Sequence, residues 1–233
     1  VFNIVTGFGE TVGQALGRHP DVDCLSFTGS TEVGRYFLKY AAESNLKKVI
    51  LELGGKSPAI VMDDVDDLQP IVEQLAIGIL FSQGENCSAG SRLLVHEKVK
   101  GRLLEALVEH FKTWTVGDPL VEGTRIGALI DEKHMNNILG YIKAGVEEGG
   151  RIILGGQRIR QETGGYYIEP TIFDDVSNQM TIAREEIFGP VLSVITFSSV
   201  EEAIAIANDT PYGLAASLYT NNLHTAHKVS RAI

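Results

Sequence analysis

Basic residues are scarce in this chain. Of its 233 residues, 20 are Lys or Arg and 30 are Asp or Glu, which gives a formal net charge of −10 at pH 7. A surface that binds nucleic acid needs clustered Lys and Arg, because these side chains neutralise phosphates. The charge balance therefore argues against a nucleic-acid partner.

Long apolar runs are also missing. No stretch of about 18 consecutive apolar residues occurs, so the sequence predicts no membrane-spanning helix. The chain opens on VFNIV, without an initiator Met or a signal-peptide pattern, and stops at SRAI inside a helix-like pattern. We therefore expect the middle of a longer cytoplasmic protein, or of a mitochondrial-matrix protein if the source is eukaryotic.

Cysteine is nearly absent as well. Cys24 and Cys87 are the only two, too few for a disulfide framework. The six His residues show no ligand spacing, so we expect no metal site, and no Ser, His and Asp arrangement is evident. Cys24 opens the strand-like CLSF and is expected to be a small buried residue of a core strand.

The dominant pattern in the sequence is an alternation of strands and helices, in a chain that is 44% hydrophobic. Residues 1–54 alternate as strand, helix, strand, helix, strand, which is half of a doubly wound parallel sheet. The predicted strands are VFNIV, CLSFTG and KKVILEL, and the predicted helices are GFGETVGQALGRH and STEVGRYFLKYAAESN. We place a domain boundary near residues 54–55.

Beyond this boundary the alternation restarts and predicts a second α/β domain over residues 55–233. Its predicted strands are SPAIVM, SRLLVHE, RIILGG, YIEPTIFDDV, GPVLSVITF and LAASLYT. Its main predicted helices are LQPIVEQLAIGILFSQ, VKGRLLEALVEHFKTW, DEKHMNNILGYIKAGVEEGG and SVEEAIAIANDT.

Two glycine-containing turns in the first domain could approach a phosphate. GFGETVG permits a tight turn, but its spacing is not the usual GxGxxG. In FTGSTEVG, Gly29 and Ser30 lie where a strand ends and a helix begins, so amide N–H groups and the helix dipole favour an anion there. The alternative for Ser30 is a simple N-cap.

Glu52 ends a predicted strand and precedes Leu53, Gly54 and Gly55. Sites of α/β proteins collect at the carboxyl ends of parallel strands, so Glu52 is a candidate base. The alternative is a solvated carboxylate at a strand end. Lys56 follows, and we expect it to form a structural ion pair rather than to supply a cation to a site.

Cys87 lies in the loop FSQGENCSAGSR, between Gly84 and Gly90. The thiolate is a strong nucleophile, and a glycine-flanked loop can keep it accessible. The alternative is a small buried residue.

The loop EEIFGP contains a second candidate pair. The carboxylate of Glu186 could hold the two hydroxyls of a ribose, and Phe188 could pack on a flat ring. The alternative is a turn closed by Gly-Pro before a strand.

Five motifs resemble one family when taken together. FTGSTEVG, LELGGKSP, FSQGENCSAGSR, EEIFGPV and NDTPYGLAA occur in the order and approximate spacing of the NAD(P)-dependent aldehyde dehydrogenase superfamily, over essentially the whole chain. The resemblance implies an aldehyde dehydrogenase-like α/β fold. Residues 1–54 would be the C-terminal half of a Rossmann-like nucleotide-binding domain. Residues 55–233 would be the catalytic domain, truncated at its C-terminus.

The resemblance also implies residue roles. Cys87 corresponds to the catalytic nucleophile and Glu52 to the general base. The residues implied to contact the cofactor, which is NAD or alternatively NADP, are Gly29, Ser30, Leu53, Glu186 and Phe188. His134 falls near a position that often carries a ribose-contacting Gln, and Glu85 stands where many members have Gln.

The implied reaction is the oxidation of a small-molecule aldehyde through a thiohemiacetal and a thioester, which a Glu52-activated water hydrolyses. The alternatives are a catalytically silent homologue and an enzyme whose thioester is cleaved by coenzyme A. GRYFLKYAAESNLKKV and GENCSAGSR resemble bacterial members that act on aminoaldehydes, including γ-glutamyl-aminobutyraldehyde. Such members imply a homodimer or homotetramer for the full-length protein.

Several parts of the family pattern are not in this sequence. The Asn that donates to the oxyanion is expected upstream of Val1, as is the first half of the nucleotide-binding domain. The C-terminal substrate-loop and oligomerisation segments are expected beyond residue 233.

We therefore predict that a purified chain of residues 1–233 is inactive by itself. The measurement is aldehyde-dependent formation of NADH, followed by absorbance. Detectable turnover would contradict the prediction.

Overall fold

A computed structural model describes all 233 residues. The chain folds as two compact units, Val1–Gly54 and Gly55–Ile233. Strands and helices alternate in both, so the predicted α/β class is confirmed.

The first unit is built around two parallel strands. A π-helical turn, Gly9–Gly13, runs into α1 (Gln14–Arg18), and then follow β1 (Cys24–Thr28), α2 (Thr31–Ala42) and β2 (Lys48–Glu52). β1 and β2 pair in parallel, with Thr28 opposite Glu52. The Ser30 side chain accepts a hydrogen bond from the Val33 amide and caps α2, and Phe37 on α2 is buried.

Two predictions for this unit are wrong. VFNIV is not a strand: residues 1–5 are exposed and pair with no other strand, and apolar composition cannot replace the hydrogen-bonded neighbour that a strand needs. Cys24 is exposed rather than buried. Side chains alternate between the two faces of a strand, and Cys24 lies on the face of β1 that the unit leaves uncovered.

The second unit contains a six-stranded sheet. Its strands are β3 (Pro58–Val61), β4 (Arg92–His96), β5 (Arg151–Leu154), β8 (Thr171–Asp174), β9 (Val191–Phe197) and β10 (Ser217–Tyr219). Across the sheet they lie in the order β10-β3-β4-β9-β8-β5. All neighbours are parallel except β5, which runs antiparallel to β8. A separate hairpin pairs β6 (Arg158–Ile159) with β7 (Tyr167–Ile168).

Helices cover both faces of this sheet. They are α3 (Gln69–Leu80), α4 (Glu97–Phe111), α5 (Glu132–Glu147), α6 (Thr181–Arg184), α7 (Val200–Asn208) and α8 (Leu223–Ala232). On β4, Leu93 and Val95 pack in one core with α3 and α4, whereas Leu94 packs in the other with α5 to α8. Burial on both faces explains why the strands are apolar runs rather than alternating patterns. None of the helices combines the length and apolarity that crossing a bilayer requires.

The predicted strand YIEPTIFDDV is divided in the structure. Its first part forms β7 in the hairpin, and its second part forms β8 in the main sheet. Pro170 lies between them, and proline has no amide hydrogen to donate to a ladder. The sequence patterns predicted neither the hairpin nor α6.

Arg92, at the start of β4, is a buried cation whose three guanidinium nitrogens all donate hydrogen bonds. Its Nε donates to the Lys56 carbonyl at 2.9 Å, and its two other nitrogens donate to Asn178 and to the carbonyls of Ile206 and Ala207. Burial lowers its pKa to about 10. The guanidinium thus joins the segment before β3 to the end of α7.

We predict that Arg92→Met lowers the free energy of unfolding of this chain by roughly 3–5 kcal/mol, because buried carbonyls lose their donors. Urea unfolding measures this change. The control is Arg102→Met on the exposed face of α4, which should change the free energy by less than about 0.5 kcal/mol. Equal effects of the two substitutions would show that the buried contacts of Arg92 contribute nothing.

Candidate active site

Cys87 lies in a loop whose backbone reverses sharply. After α3 comes a 3₁₀ turn, Phe81–Gly84, and then the loop that leads to β4. Ser82, Gln83 and Gly84 have φ values of 52°, 60° and 75°. The left-handed conformation costs about 1–2 kcal/mol per non-glycine residue, so the surrounding structure must impose it. Cys87 itself is half-buried.

Two glycines bring other segments into backbone contact with this loop. A Cβ on Gly55 would lie 2.3 Å from the carbonyl oxygen of Cys87. A Cβ on Gly84 would lie 2.3 Å from the carbonyl carbon of Gly189. Neither distance is possible for a real side chain, so both contacts require glycine. They place the cysteine loop against the start of this unit and against the loop that contains Glu186 and Phe188.

Asn86 organises the turn at the nucleophile. Its Oδ1 accepts hydrogen bonds from the Ser88 amide at 3.2 Å and from the Ser88 hydroxyl at 3.1 Å. The same oxygen lies 4.0 Å from the sulfur of Cys87. Sequence reasoning missed Asn86, although an Asn that hydrogen-bonds the backbone two residues on is a known turn signal.

Glu186 is anchored to the start of the second unit. Its Oε1 accepts a hydrogen bond from the Gly55 amide at 3.0 Å. Burial raises its pKa, while that hydrogen bond and the charge of Lys56 oppose the rise. The other carboxylate oxygen accepts no hydrogen bond within the protein. Phe188, in the same loop, is 39% exposed.

Lys56 is fully buried and has no partner for its ammonium group. Its Nζ makes no hydrogen bond and no salt bridge, so the predicted ion pair is wrong. Glu185 accepts instead from the Tyr141 hydroxyl at 2.8 Å, and Glu186 accepts from Gly55. Burial lowers the pKa of Lys56 to about 7, the charge of Arg92 adds to this effect, and the two glutamates oppose it.

His134 contacts the same loop. Its Nε2 lies 2.7 Å from the carbonyl oxygen of Phe188, and the residue is partly exposed. Sequence reasoning had not assigned it a catalytic role, and no local motif signals this contact. No group of three or more His, Cys, Asp and Glu residues is placed to hold a metal ion.

The remaining candidate residues lie together in the first unit, at the carboxyl ends of β1 and β2. The Gly29 amide donates to the Glu52 carbonyl at 3.0 Å, and the Glu52 side chain is exposed. Leu53 covers Gly34 on α2, where a Cβ would lie 2.6 Å from the Leu53 methyl carbon Cδ2. Ser30 caps α2, so its N-cap role is real, and the anion site at this helix start remains a prediction. Gly29, Ser30, Glu52 and Leu53 thus form one group, and Cys87, Glu186 and Phe188 form another.

The GFGETVG segment forms a tight turn. Gly7 has φ 155°, and a Cβ there would lie 2.3 Å from Cγ2 of Val12. This contact accounts for the first glycine of the motif without a phosphate.

Comparison with known proteins identifies the class to which this fold and these loops belong. A sequence model described as the aldehyde dehydrogenase family matches residues 1–233. The chain belongs to this family. Aminoacetaldehyde dehydrogenase of Pseudomonas aeruginosa is 50% identical over all 233 residues, which are 46% of that protein.

Solved structures agree closely with the fold. KauB, an aldehyde dehydrogenase of P. aeruginosa, superposes with a TM-score of 0.99 at 55% identity, covering 100% of this chain and 47% of that one. The indole-3-acetaldehyde dehydrogenase AldA of P. syringae, solved with NAD+ and IAA, gives a TM-score of 0.96 at 56% identity, covering 97% of this chain and 46% of that one. The chain therefore spans about half the length of the relatives that it matches.

We predict that Lys56→Met stabilises this chain in a pH-dependent way. The pKa of Lys56 falls from 10.5 to about 7 on folding, so the fold disfavours the charged form. The resulting cost is fully present below pH about 7, shrinks as pH rises, and vanishes near the unfolded pKa. Lys56→Met should therefore raise the free energy of unfolding by roughly 1–4 kcal/mol near neutral pH, and by much less near pH 10.

Urea unfolding at several pH values tests this prediction. The matched control is Lys143→Met, because Lys143 is exposed on α5 and makes only a surface pair with Glu147. A stabilisation by Lys56→Met that does not change with pH would show that the Lys56 pKa is not lowered.

Proposed function

We propose that this chain contains the nucleophile, the base and much of the cofactor site of an enzyme that oxidises an aldehyde to a carboxylic acid with NAD or NADP. One observation carries the proposal. Cys87 is half-buried in a strained loop, and its backbone directly contacts Gly55. The same loop contacts the loop of Glu186 and Phe188 where Gly84 meets Gly189. A nucleophile in a loop that contacts the loop of a half-buried carboxylate and an exposed aromatic residue fits this chemistry.

In the proposed reaction, the Cys87 thiolate attacks the aldehyde carbon and forms a thiohemiacetal. The oxyanion that develops needs preorganised donors. The Cys87 amide is one candidate, because it makes no hydrogen bond within the protein. Cys87 is only half-buried, so it is not shut inside the core.

The residues present fit a dinucleotide. The start of α2, with Gly29 and Ser30, is suited to a pyrophosphate, because amide N–H groups at a helix N-terminus attract anions. Glu186 has one free carboxylate oxygen for a ribose hydroxyl, and the exposed ring of Phe188 can border the nicotinamide. Leu53 is the third residue of the first unit that we propose contacts the cofactor. When bound, NAD or NADP supplies the hydride acceptor, and loss of hydride leaves a thioester on Cys87.

Glu52 is the proposed base for hydrolysis of this thioester. Its carboxylate is exposed at the end of β2, and the Gly54–Gly55 step that follows can provide conformational freedom. A base at this position favours water as the acceptor over coenzyme A, which needs no such base to cleave a thioester.

The proposed substrates are aminoaldehydes or related amide-bearing aldehydes. Aminoacetaldehyde dehydrogenase of P. aeruginosa is similar over the whole chain. A γ-glutamyl-γ-aminobutyraldehyde dehydrogenase of Burkholderia cenocepacia is 52% identical, with a TM-score of 0.92 over 94% of this chain and 44% of that one. Indole-3-acetaldehyde is the second candidate, because the P. syringae enzyme is 56% identical. A panel of these aldehydes, each with NAD and NADP, would distinguish them. We also propose that the full-length protein is a homodimer or homotetramer.

We predict different kinetic defects for Glu52 and Cys87 in an enzyme of full family length that carries this sequence. Cys87→Ala should lower the turnover number more than about a thousandfold, because the nucleophile is lost. Glu52→Gln should still release one NADH per site in a rapid burst, followed by turnover about a hundredfold slower, because only hydrolysis needs the base. Stopped-flow absorbance resolves both phases.

The control for these variants is Cys24→Ala, which removes the other thiol from an exposed position in the first unit and should leave turnover unchanged. If Cys87 in the folded wild-type enzyme resists thiol reagents, and aldehydes give no burst, the silent-homologue alternative is correct.

A further inference from the structure

The backbone of Phe188 is held in an unfavourable conformation. Its φ is 57°, in the left-handed region, which costs a non-glycine residue about 1–2 kcal/mol. Phe188 is 39% exposed, so packing of its side chain alone does not fix its backbone conformation. Such strain persists only where neighbouring groups determine the conformation. The question is which group holds this residue.

His134 contacts the backbone of Phe188 directly. The imidazole Nε2 lies 2.7 Å from the carbonyl oxygen of Phe188, and the two rings lie 6.0 Å apart at 64°. A carbonyl oxygen can only accept a hydrogen bond, so Nε2 carries the proton and donates it. The contact ties the strained residue to α5.

His134 is itself fixed by its place in the fold. It lies in the first turn of α5, where its amide donates to the capping carboxylate of Asp131 at 2.7 Å. Gly189, the residue after Phe188, packs on Ile138 one turn further along the same helix, where a Cβ would lie 2.5 Å from the Ile138 methyl carbon Cδ1. The helix thus contacts the loop at two successive positions.

Glu85 links this arrangement to the cysteine loop. Its Oε1 lies 3.7 Å from Nε2 of His134 and accepts a hydrogen bond from the Ile130 amide at 3.0 Å. The side chains of Glu85 and His134 are 13% and 18% exposed. Two oxygen acceptors therefore face one nitrogen, which favours the tautomer with the proton on Nε2. The Glu85 carboxylate therefore supports the protonated Nε2, and the shorter distance makes the Phe188 carbonyl its hydrogen-bond acceptor.

We propose that His134, supported by Glu85, is a positioning residue that holds the Phe188 loop in the conformation that receives the cofactor. It acts through the Phe188 carbonyl and not by contact with the reacting atoms. The cofactor part of this proposal rests on the proposed function. The mechanical part, the attachment of the loop to α5, rests on the hydrogen bond alone.

Three variants of an enzyme of full family length that carries this sequence test the proposal. His134→Phe keeps a ring at this position but removes the donor. His134→Gln keeps a donor of similar reach. His224→Phe is the matched control, because His224 is exposed in the first turn of another helix, α8. Hydrogen–deuterium exchange of residues 185–191 without cofactor reports on the loop, and calorimetry gives the dissociation constant of NAD.

The expected result is faster exchange in the loop of His134→Phe, with unchanged exchange in α4, and a dissociation constant for NAD about fivefold higher, which corresponds to one lost hydrogen bond. His134→Gln and His224→Phe should stay within about twofold of the wild type. Unchanged exchange in His134→Phe would overturn the proposal, as would equal defects in His134→Phe and His134→Gln. Faster exchange with unchanged NAD binding would overturn the cofactor role.

The two levels of the proposal can fail separately. A wild-type enzyme that binds neither NAD nor NADP would overturn the proposed function together with the cofactor role of His134. The exchange comparison would still decide whether His134 holds the loop.

Discussion

The site in the second unit depends on close packing of backbone against backbone. Gly55 touches the carbonyl of Cys87, Gly84 touches Gly189, and Gly189 in turn packs on Ile138 of α5. At Gly55 and Gly84 the facing atoms are backbone, so no side chain fits there and glycine is required. At Gly189 the facing atoms belong to the Ile138 side chain. Residues with left-handed backbone lie in the same two loops: Ser82 and Gln83 precede the nucleophile, and Phe188 precedes Gly189. Such strain persists only where the surrounding structure imposes it. The loops are therefore positioned before any ligand arrives.

Two buried basic residues, Arg92 and Lys56, differ in whether their charged groups have hydrogen-bond partners. Arg92 has acceptors for its guanidinium from three segments, so its burial stabilises the connection between β4 and its neighbours. Lys56 accepts a hydrogen bond from Arg92 at its backbone carbonyl, but its own ammonium group has no acceptor. Burial therefore lowers the pKa of Lys56. Burying a cation without a partner costs free energy of folding. Strongly shifted pKa values of this kind are concentrated at functional sites. The position of Lys56, next to Gly55 and within the field of Glu186, agrees with that tendency.

Much of the architecture could be predicted from hydrophobic patterns, because most strands and helices are long enough to show their period. The prediction of VFNIV as a strand was wrong because a strand also needs a hydrogen-bonding neighbour, which composition does not reveal. The prediction that Cys24 is buried was wrong because the elements that cover the sheet decide which face of β1 is buried. The contacts of Arg92, Asn86 and His134 escaped prediction because each joins groups that are distant in sequence or depends on a particular backbone turn.

The sequence by itself determined the α/β class, the family and the candidate residues, because the five motifs and the strand–helix alternation are local and can be read in order. It could not determine which candidates meet. Tertiary structure alone decided that the Gly55 amide donates to Glu186, that Cys87 lies against Gly55, and that His134 lies within hydrogen-bond distance of the Phe188 carbonyl. The physical reason is that hydrogen bonds and close backbone contacts act over a few ångströms in space, whereas these residues lie tens of positions apart along the chain.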